Sequence, residues 1–177
     1  FKPQIIIGGP PCQDFSGAGH RNEQLGRANL TISYMKIIES RKPRFFLMEN
    51  VPRIQKSPIL ETINKRFKSL GYGLTQTVLD ASRCGVPQQR KRFFLIGELG
   101  SKDDFLLERL IAGFSEKQMT VFDYLGNSLG VEYYFRVPRS YTRRGIFSIH
   151  EPAMTVRGVD RPVPSGYIEQ RADPIPM

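Results

Sequence analysis

Cys12 stands in Gly8-Gly9-Pro10-Pro11-Cys12-Gln13, directly after the apolar run Ile5-Ile6-Ile7. A thiol just past a buried strand sits where open α/β sheets place their ligand and catalytic groups, with glycines permitting close backbone approach and prolines stiffening the turn. Glu49-Asn50-Val51 repeats the arrangement: a carboxylate follows the apolar Phe45-Phe46-Leu47-Met48, and Pro52 then breaks the chain. Arg90 and Arg92, with Gln88 beside them, begin a third apolar run at Phe93. Alternation along a strand points both arginines to one side. A thiol, a carboxylate and guanidinium groups gathered at strand ends could attack an electrophilic carbon, pass a proton and fix a base or an anion. Taken singly, each residue also has a plainer reading. Cys12 could be a small structural thiol in a tight turn, Glu49 a solvated strand end, and the arginines an ordinary basic loop.

The elements that must position these groups are legible from apolar spacing. Residues 4–7 form a short strand that ends at the Gly-Pro break. Asn29 is suited to cap a helix to about residue 39, with Leu30, Tyr34 and Ile38 on one face. Residues 45–48 have the length and apolarity of a buried strand. Ser57 is an N-cap for the next helix, Pro58 suits its first position, Ile59, Ile63, Phe67 and Leu70 repeat at helical spacing, and Gly71 terminates it. Residues 74–79 and 92–96 are further strands. The alternation implies a parallel or mostly parallel sheet covered by helices. Beyond Gly97 the texture changes: residues 103–114 fit one amphipathic helix, and from about Thr120 Gly, Pro, Tyr and Arg dominate without a strong period. We therefore expect an α/β portion over residues 1–99 and an irregular, β-rich module over 100–177.

The chain has 177 residues and a formal charge of +9. Lysines and arginines that neutralise phosphates release counterions, so this excess favours a polyanionic partner. Arg83, Arg90, Lys91 and Arg92 cluster, as do Arg136, Arg139, Arg143 and Arg144, interleaved with Tyr133, Tyr134, Phe135 and Tyr141. Arginine with aromatics suits phosphates and bases rather than a membrane surface. No apolar run approaches the roughly 18 residues of a membrane span. Two cysteines, Cys12 and Cys84, and two histidines, His20 and His150, offer neither a disulfide scaffold nor an obvious zinc site, and they suit a reducing compartment.

Taken together, Gly-Gly-Pro-Pro-Cys-Gln at 8–13, Glu-Asn-Val at 49–51 and Gln-Gln-Arg-Lys-Arg at 88–92 resemble, in order and spacing, the blocks of DNA (cytosine-5) methyltransferases of bacterial type. Phe15-Ser16, Arg27 with Leu30, Lys42-Pro43 and Cys84-Gly85-Val86-Pro87 fit the same pattern, and the resemblance runs from about residue 4 to 97. It implies a partial Rossmann-like sheet of the S-adenosylmethionine methyltransferases with a β-rich recognition module. It implies that the Cys12 thiolate adds to carbon 6 of cytosine, that Glu49 serves ring nitrogen 3, and that Arg92 contacts the base with Arg90 and Gln88 in support. An acid beside an arginine is expected to act mainly as a hydrogen-bond partner that takes up a proton as addition proceeds. The target base must flip out of double-stranded DNA, and residues 14–29, with Gly17, Gly19 and Gly26, become a closing loop. Gln13 and Ser16 then contact the flipped nucleotide. Arg143 to Ser148 and Glu151 to Arg157 resemble the target-recognition region, where Thr155-Val156 is the recurrent Thr-aliphatic pair. Arg157 and Arg161 are candidate contacts there, phosphate being the commoner use. A bacterial cytoplasm, DNA and a restriction-modification setting follow from the resemblance.

The pattern is incomplete. The family's Gly-rich loop for S-adenosylmethionine does not precede Gly8, and Ser16-Gly17-Ala18-Gly19 does not link a strand to a helix. Pro11 and Leu30 are the positions that carry over as donor contacts. The start at Phe1 and the loop-like residues 172–177 suggest a piece of something longer, to be completed by another methyltransferase portion or subunit. A non-catalytic DNA-binding remnant, an RNA methyltransferase relative and a cysteine hydrolase are the competing readings; the last lacks a suitable Cys-His pairing. Without its early strands the sheet is expected to expose an apolar edge.

Overall fold

The computed structural model describes residues 2–11, 28–136 and 145–155, with Ala28 and Asn29 described by backbone alone. Along the chain run β1 (Ile5–Gly8), α1 (Ala28–Arg41), β2 (Phe45–Asn50), α2 (Pro58–Ser69), β3 (Tyr72–Asp80), β4 (Gln88–Gln89), β5 (Lys91–Leu99), α3 (Leu107–Ala112), α4 (Val121–Leu125), β6 (Tyr133–Phe135), β7 (Ile146–Ser148) and β8 (Ala153–Met154). They fall into two compact units that do not divide at residue 99. The first takes the described residues up to Leu79 together with Lys91–Phe114; the second takes Asp80–Arg90 and the described residues from Ser115 onward. The loop before β5 thus belongs with the second unit, and the residues just after β5 belong with the sheet.

The first unit is α/β. Its sheet has the order β1-β2-β5-β3. β1 and β2 are parallel, with Ile6 opposite Phe46, and α1 supplies the crossover a parallel pair needs. β2 and β5 are antiparallel, with Met48 opposite Leu95, so the sheet is mixed rather than mostly parallel. One face is closed by helices. Phe46, Met48, Phe93 and Leu95 meet Tyr34 and Ile38 of α1 and Leu60, Ile63 and Phe67 of α2 in a single core. The Phe46 ring lies 4.3 Å from Phe67 and 5.1 Å from Tyr72. Gly97, opposite Phe46, makes room for that ring: a Cβ there would stand 2.1 Å from Phe46 Cε1. Full burial of such side chains is worth about 1.5–3 kcal/mol each.

Local chemistry explains most of the boundaries. Ser57 Oγ accepts from the Ile59 amide at 3.2 Å, and Pro58 opens α2 as expected. Gly71 follows at φ +90, the left-handed turn that favours glycine. In α1 the buried stripe is Thr31, Tyr34 and Ile38, with Met35 beside it, and Leu30 is 45% exposed. Leu30 therefore sits off the face expected for it. Residues 103–114 do not form one helix. The Asp104 amide bonds the Leu74 carbonyl, Asp103 Oδ1 accepts from the Leu74 amide, and the Leu106 amide bonds Thr75 Oγ1. These contacts draw the first part of the segment onto β3 and leave only Leu107–Ala112 helical.

The second unit is built from short pieces. β4 and β8 pair in parallel, and β6 and β7 pair antiparallel. Thr120 caps α4 in a reciprocal capping box with Asp123. Backbone bonds from Phe122 to the Ile149 carbonyl (2.8 Å) and from Ile149 to the Glu132 carbonyl (2.9 Å) tie these pieces together. The Tyr134 and Phe147 rings stack at 5.9 Å. Among the described residues no helix is long and apolar enough to cross a membrane, and no three His, Cys, Asp or Glu side chains gather as a metal site.

Candidate active site

Strand alternation sets the site. In β2, Phe46, Met48 and Asn50 turn into the core, which leaves Phe45, Leu47 and Glu49 on the other face. Glu49 therefore lies within the strand, not after it, and the strand's length holds its Cα in register opposite Phe94 of β5. In β5 the buried residues are Phe93, Leu95 and Gly97, so Arg92 emerges on the face that carries Glu49. Arg92 Nε and Glu49 Oε1 form an ion pair at 2.8 Å, with the side chains 25% and 36% exposed respectively. A second Arg92 nitrogen donates to the Lys91 carbonyl at 2.8 Å, which steadies the guanidinium.

The other Glu49 oxygen faces the turn that leads to Cys12. A Cβ on Gly9 would stand 3.2 Å from Glu49 Oε2, a tight approach, so the bare backbone of residue 9 lets the turn rest close to the carboxylate. Asn50 fastens the same turn from the core side. It is 2% exposed, its Nδ2 donates to the Pro10 carbonyl at 3.2 Å, and its Oδ1 accepts from the Val51 amide at 2.9 Å. A buried amide that loses such partners is costly. Adjacent residues thus do different work: Glu49 presents a carboxylate to solvent and an arginine, and Asn50 clamps the Pro10 backbone.

Cys12, Gln13, Ser16 and Arg157 lie outside the described residues, as does the expected closing loop over 14–29 apart from the start of α1. Pro11 is described and exposed, and Leu30 stands exposed in the first turn of α1. Arg90 precedes β5 and belongs to the second unit, so the strand alternation that put it on one side with Arg92 does not reach it. Its backbone is held by Asp80: Oδ1 accepts from the Arg90 amide at 3.3 Å. Gln88 and Thr155 come together in that unit. Gln88 pairs with Ala153, and Thr155 Oγ1 donates to the Gln89 carbonyl at 3.2 Å. Arg136 in turn donates to the Thr155 carbonyl. Cys84 is exposed, and partial loss of solvation followed by the Asp80 carboxylate pushes its thiol up, away from the nucleophilic thiolate form.

Sequence reasoning missed the Asn50 clamp and the β4–β8 pairing, and it named Arg136 only within a basic cluster. Of the two missed, the Asn50 clamp carried a signal. Once Glu49 faces out, Asn50 must face in, and a buried Asn needs partners.

Known proteins resemble this chain in sequence and fold. The family model described as C-5 cytosine-specific DNA methylase matches residues 1–144. The type II methyltransferase M.HindV of Haemophilus influenzae is 56% identical over 174 residues, which is 98% of this chain and 57% of the relative. M.HgiDI of Herpetosiphon aurantiacus, another type II methyltransferase, is 50% identical over 166 residues, 94% of this chain and 54% of the relative. The chain spans about half the length of these curated relatives. Among solved structures, the Dnmt2 methyltransferase of S. pombe aligns with a TM-score of 0.55 over 78% of this chain and 40% of its own, at 17% identity. A putative DNA modification methyltransferase encoded within an E. coli prophage aligns with a TM-score of 0.50 over 71% and 35%, at 28% identity.

Proposed function

Because the chain belongs to the C-5 cytosine-specific DNA methylases, we propose that it carries the nucleophile half of a methyltransferase acting on carbon 5 of cytosine in double-stranded DNA. The observation that carries the proposal is the half-buried Glu49–Arg92 pair lying against the turn that leads to Cys12. Cytosine carbon 5 is a weak nucleophile. In the proposed reaction the Cys12 sulfur bonds to carbon 6 of a flipped-out base, and ring nitrogen 3 takes a proton held by Glu49. Arg92 holds the Glu49 carboxylate and the base edge in one geometry. Carbon 5, now part of an enamine, takes up the methyl group; its proton then leaves to a base, the carbon–sulfur bond breaks to restore the Cys12 thiolate, and ring nitrogen 3 returns its proton to Glu49.

S-adenosylmethionine supplies the methyl group as an electrophile. Pro11 and the exposed Leu30 would border it, their apolar surfaces suiting the flat faces of its adenine ring. The donor's Gly-rich loop is proposed to come from a complementing methyltransferase portion. Gln13 and Ser16 contact the flipped nucleotide, and Gln88 and Arg90 support the base or its phosphate. Thr155 and Arg157 belong to target recognition. The relatives are named type II methyltransferases, which supports a bacterial restriction-modification setting for the proposed activity.

The test uses duplex DNA with 5-fluorocytosine, in which fluorine replaces the proton that must leave carbon 5. With S-adenosylmethionine and the complementing portion of a relative, the chain is expected to form a covalent adduct that Cys12→Ala abolishes. Binding of DNA without any adduct, from folded protein on its target, would sink the proposal and leave a non-catalytic DNA-binding protein.

A further inference from the structure

Tyr34 of α1 is buried, and its hydroxyl reaches two strands at once. It donates to the Leu47 carbonyl of β2 at 3.0 Å and lies 3.3 Å from the Ile6 carbonyl of β1. One hydroxyl hydrogen serves two acceptors on neighbouring parallel strands, two residues before Gly8 on one and two before Glu49 on the other. The ring fills the space beside Gly8: a Cβ there would stand 2.6 Å from Tyr34 Cε2 and 2.8 Å from Cδ2. Such contacts are closer than real Cβ atoms reach, and the ring cannot swing away, because it is 7% exposed and meets the Phe46 ring edge-on at 6.5 Å. Burial first, and Tyr72 second, raise the hydroxyl's pKa, so it stays a donor at any working pH.

We infer that Tyr34 is a positioning residue: its hydroxyl and ring, with Gly8 as their counterpart, fix how far β1 stands from β2 beneath Glu49 and the turn that leads to Cys12. The need is physical. Among the described residues β1 pairs with β2 alone, so its distance from Glu49 is carried by that pairing and by what bridges the two strands. Asn50 and Gly9 set the turn against Glu49 one step further along. Tyr34 sets the strands beneath them. Misplacement of reacting groups by about an ångström can cost roughly a hundredfold in rate. The inference rests on the proposed methyl transfer for its catalytic consequence, but not for its structural one.

The test compares Tyr34→Phe with the unaltered chain. Phe keeps the ring over Gly8 and removes only the hydroxyl, so folding is retained. Amide hydrogen exchange is expected to speed up roughly tenfold in β1 and at the end of β2, with α2 unchanged, as one hydrogen bond lost in a local opening predicts. With the complementing portion and 5-fluorocytosine DNA, adduct formation is expected to slow by roughly ten- to a hundredfold at saturating DNA, with the DNA concentration for half-saturation unchanged. Gly8→Ala should lose the adduct more severely, and Tyr34→Leu in the same chain should restore part of it by vacating the ring's space. Unchanged exchange in Tyr34→Phe overturns the inference. So does faster exchange with an unaltered adduct rate, which would make Tyr34 structural only. A wild-type chain that forms no adduct defeats the methyl-transfer reading instead, and exchange still decides whether Tyr34 fastens the strands.

Discussion

The two units are held by different physics. In the first, twelve buried side chains from two helices, three strands and the short turn that carries Ile54 close one core, and Ile38, Phe46, Met48, Ile54, Ile63, Phe67, Phe93 and Leu95 are all fully buried. Glu49 and Arg92 stand on strands that this core fixes. In the second unit only Val121, Phe147 and Ile149 are buried apolar residues among those described, and backbone bonds, a capping box and two-stranded pairings carry the structure. A group that must meet a reacting atom within fractions of an ångström gains from a packed scaffold, because packed interiors resist displacement. A surface that reads DNA sequence gains from short loops, which change without disturbing a core. The candidate chemistry and the candidate recognition are thus assigned to materials of different stiffness.

Breaking the chemistry without touching the core gives the largest expected effect. Glu49→Gln keeps volume and shape but cannot hold a transferable proton. Methyl transfer in the complemented enzyme should fall by about 10²–10⁴-fold in single turnovers, with thermal melting unmoved. A loss of less than tenfold would show that Glu49 is not the proton carrier.

Breaking the scaffold comes next. Phe67→Ala empties the space beside Phe46 and should cost about 3–5 kcal/mol in a urea titration. Because the core and the candidate site share β2, the Glu49–Arg92 pair should loosen with it. A cost below about 1 kcal/mol would contradict the central place of that cluster. The same class of measurement in the second unit should give less. Thr120→Ala removes the α4 cap and should cost about 0.5–2 kcal/mol in the local opening of α4, read by amide exchange. An equal rise in exchange throughout the first unit would contradict the separateness of the two.

The first unit was largely legible in the sequence because periodicity reports a packed core. Ser57, Pro58, Ile63, Phe67 and Gly71 each state their place in α2, and the strands are visible as apolar runs. What escaped was decided by tertiary pairing. The direction of β5 against β2 leaves no mark on composition, and the Leu74–Asp103 and Thr75–Leu106 bonds overrode a helical pattern at residues 103–106. Leu30 was misplaced because a spacing of four fits two adjacent stripes of a helix, and Thr31 holds the buried one. In the second unit the elements are two to five residues long, too short for a period to register. The β4–β8 pairing joins residues 65 apart in sequence, Gln88 with Ala153. Chemistry fared similarly. Cys12, Glu49 and Arg92 were singled out by position and spacing, whereas Tyr34 looked like one more apolar ring on α1, and only the structure places its hydroxyl against two carbonyls.

The smallest effect separates the units by electrostatics. Each holds an aspartate whose pKa is lowered, for different reasons. Asp103 is lowered by its hydrogen bond to Lys68 and then by the Leu74 amide; Asp123 is lowered by the Thr120 amide and then by the Thr120 hydroxyl. In both the folded chain favours the charged form. The stabilisation is therefore complete above the ordinary aspartate value of about 3.9 and is lost as pH falls through the lower folded value. The two should respond differently to salt. At 1 M the screening length shrinks to about 3 Å, which weakens an exposed ammonium–carboxylate pair but leaves a backbone amide in place. A carboxyl-carbon titration by NMR should find both aspartates below the ordinary range at low salt. Raising the salt should return Asp103 toward the ordinary value and leave Asp123 nearly where it was. An equal return of both would mean that long-range charge, rather than the Thr120 cap, sets Asp123, and the contrast between an ion-paired first unit and a capped second unit would fail at that point.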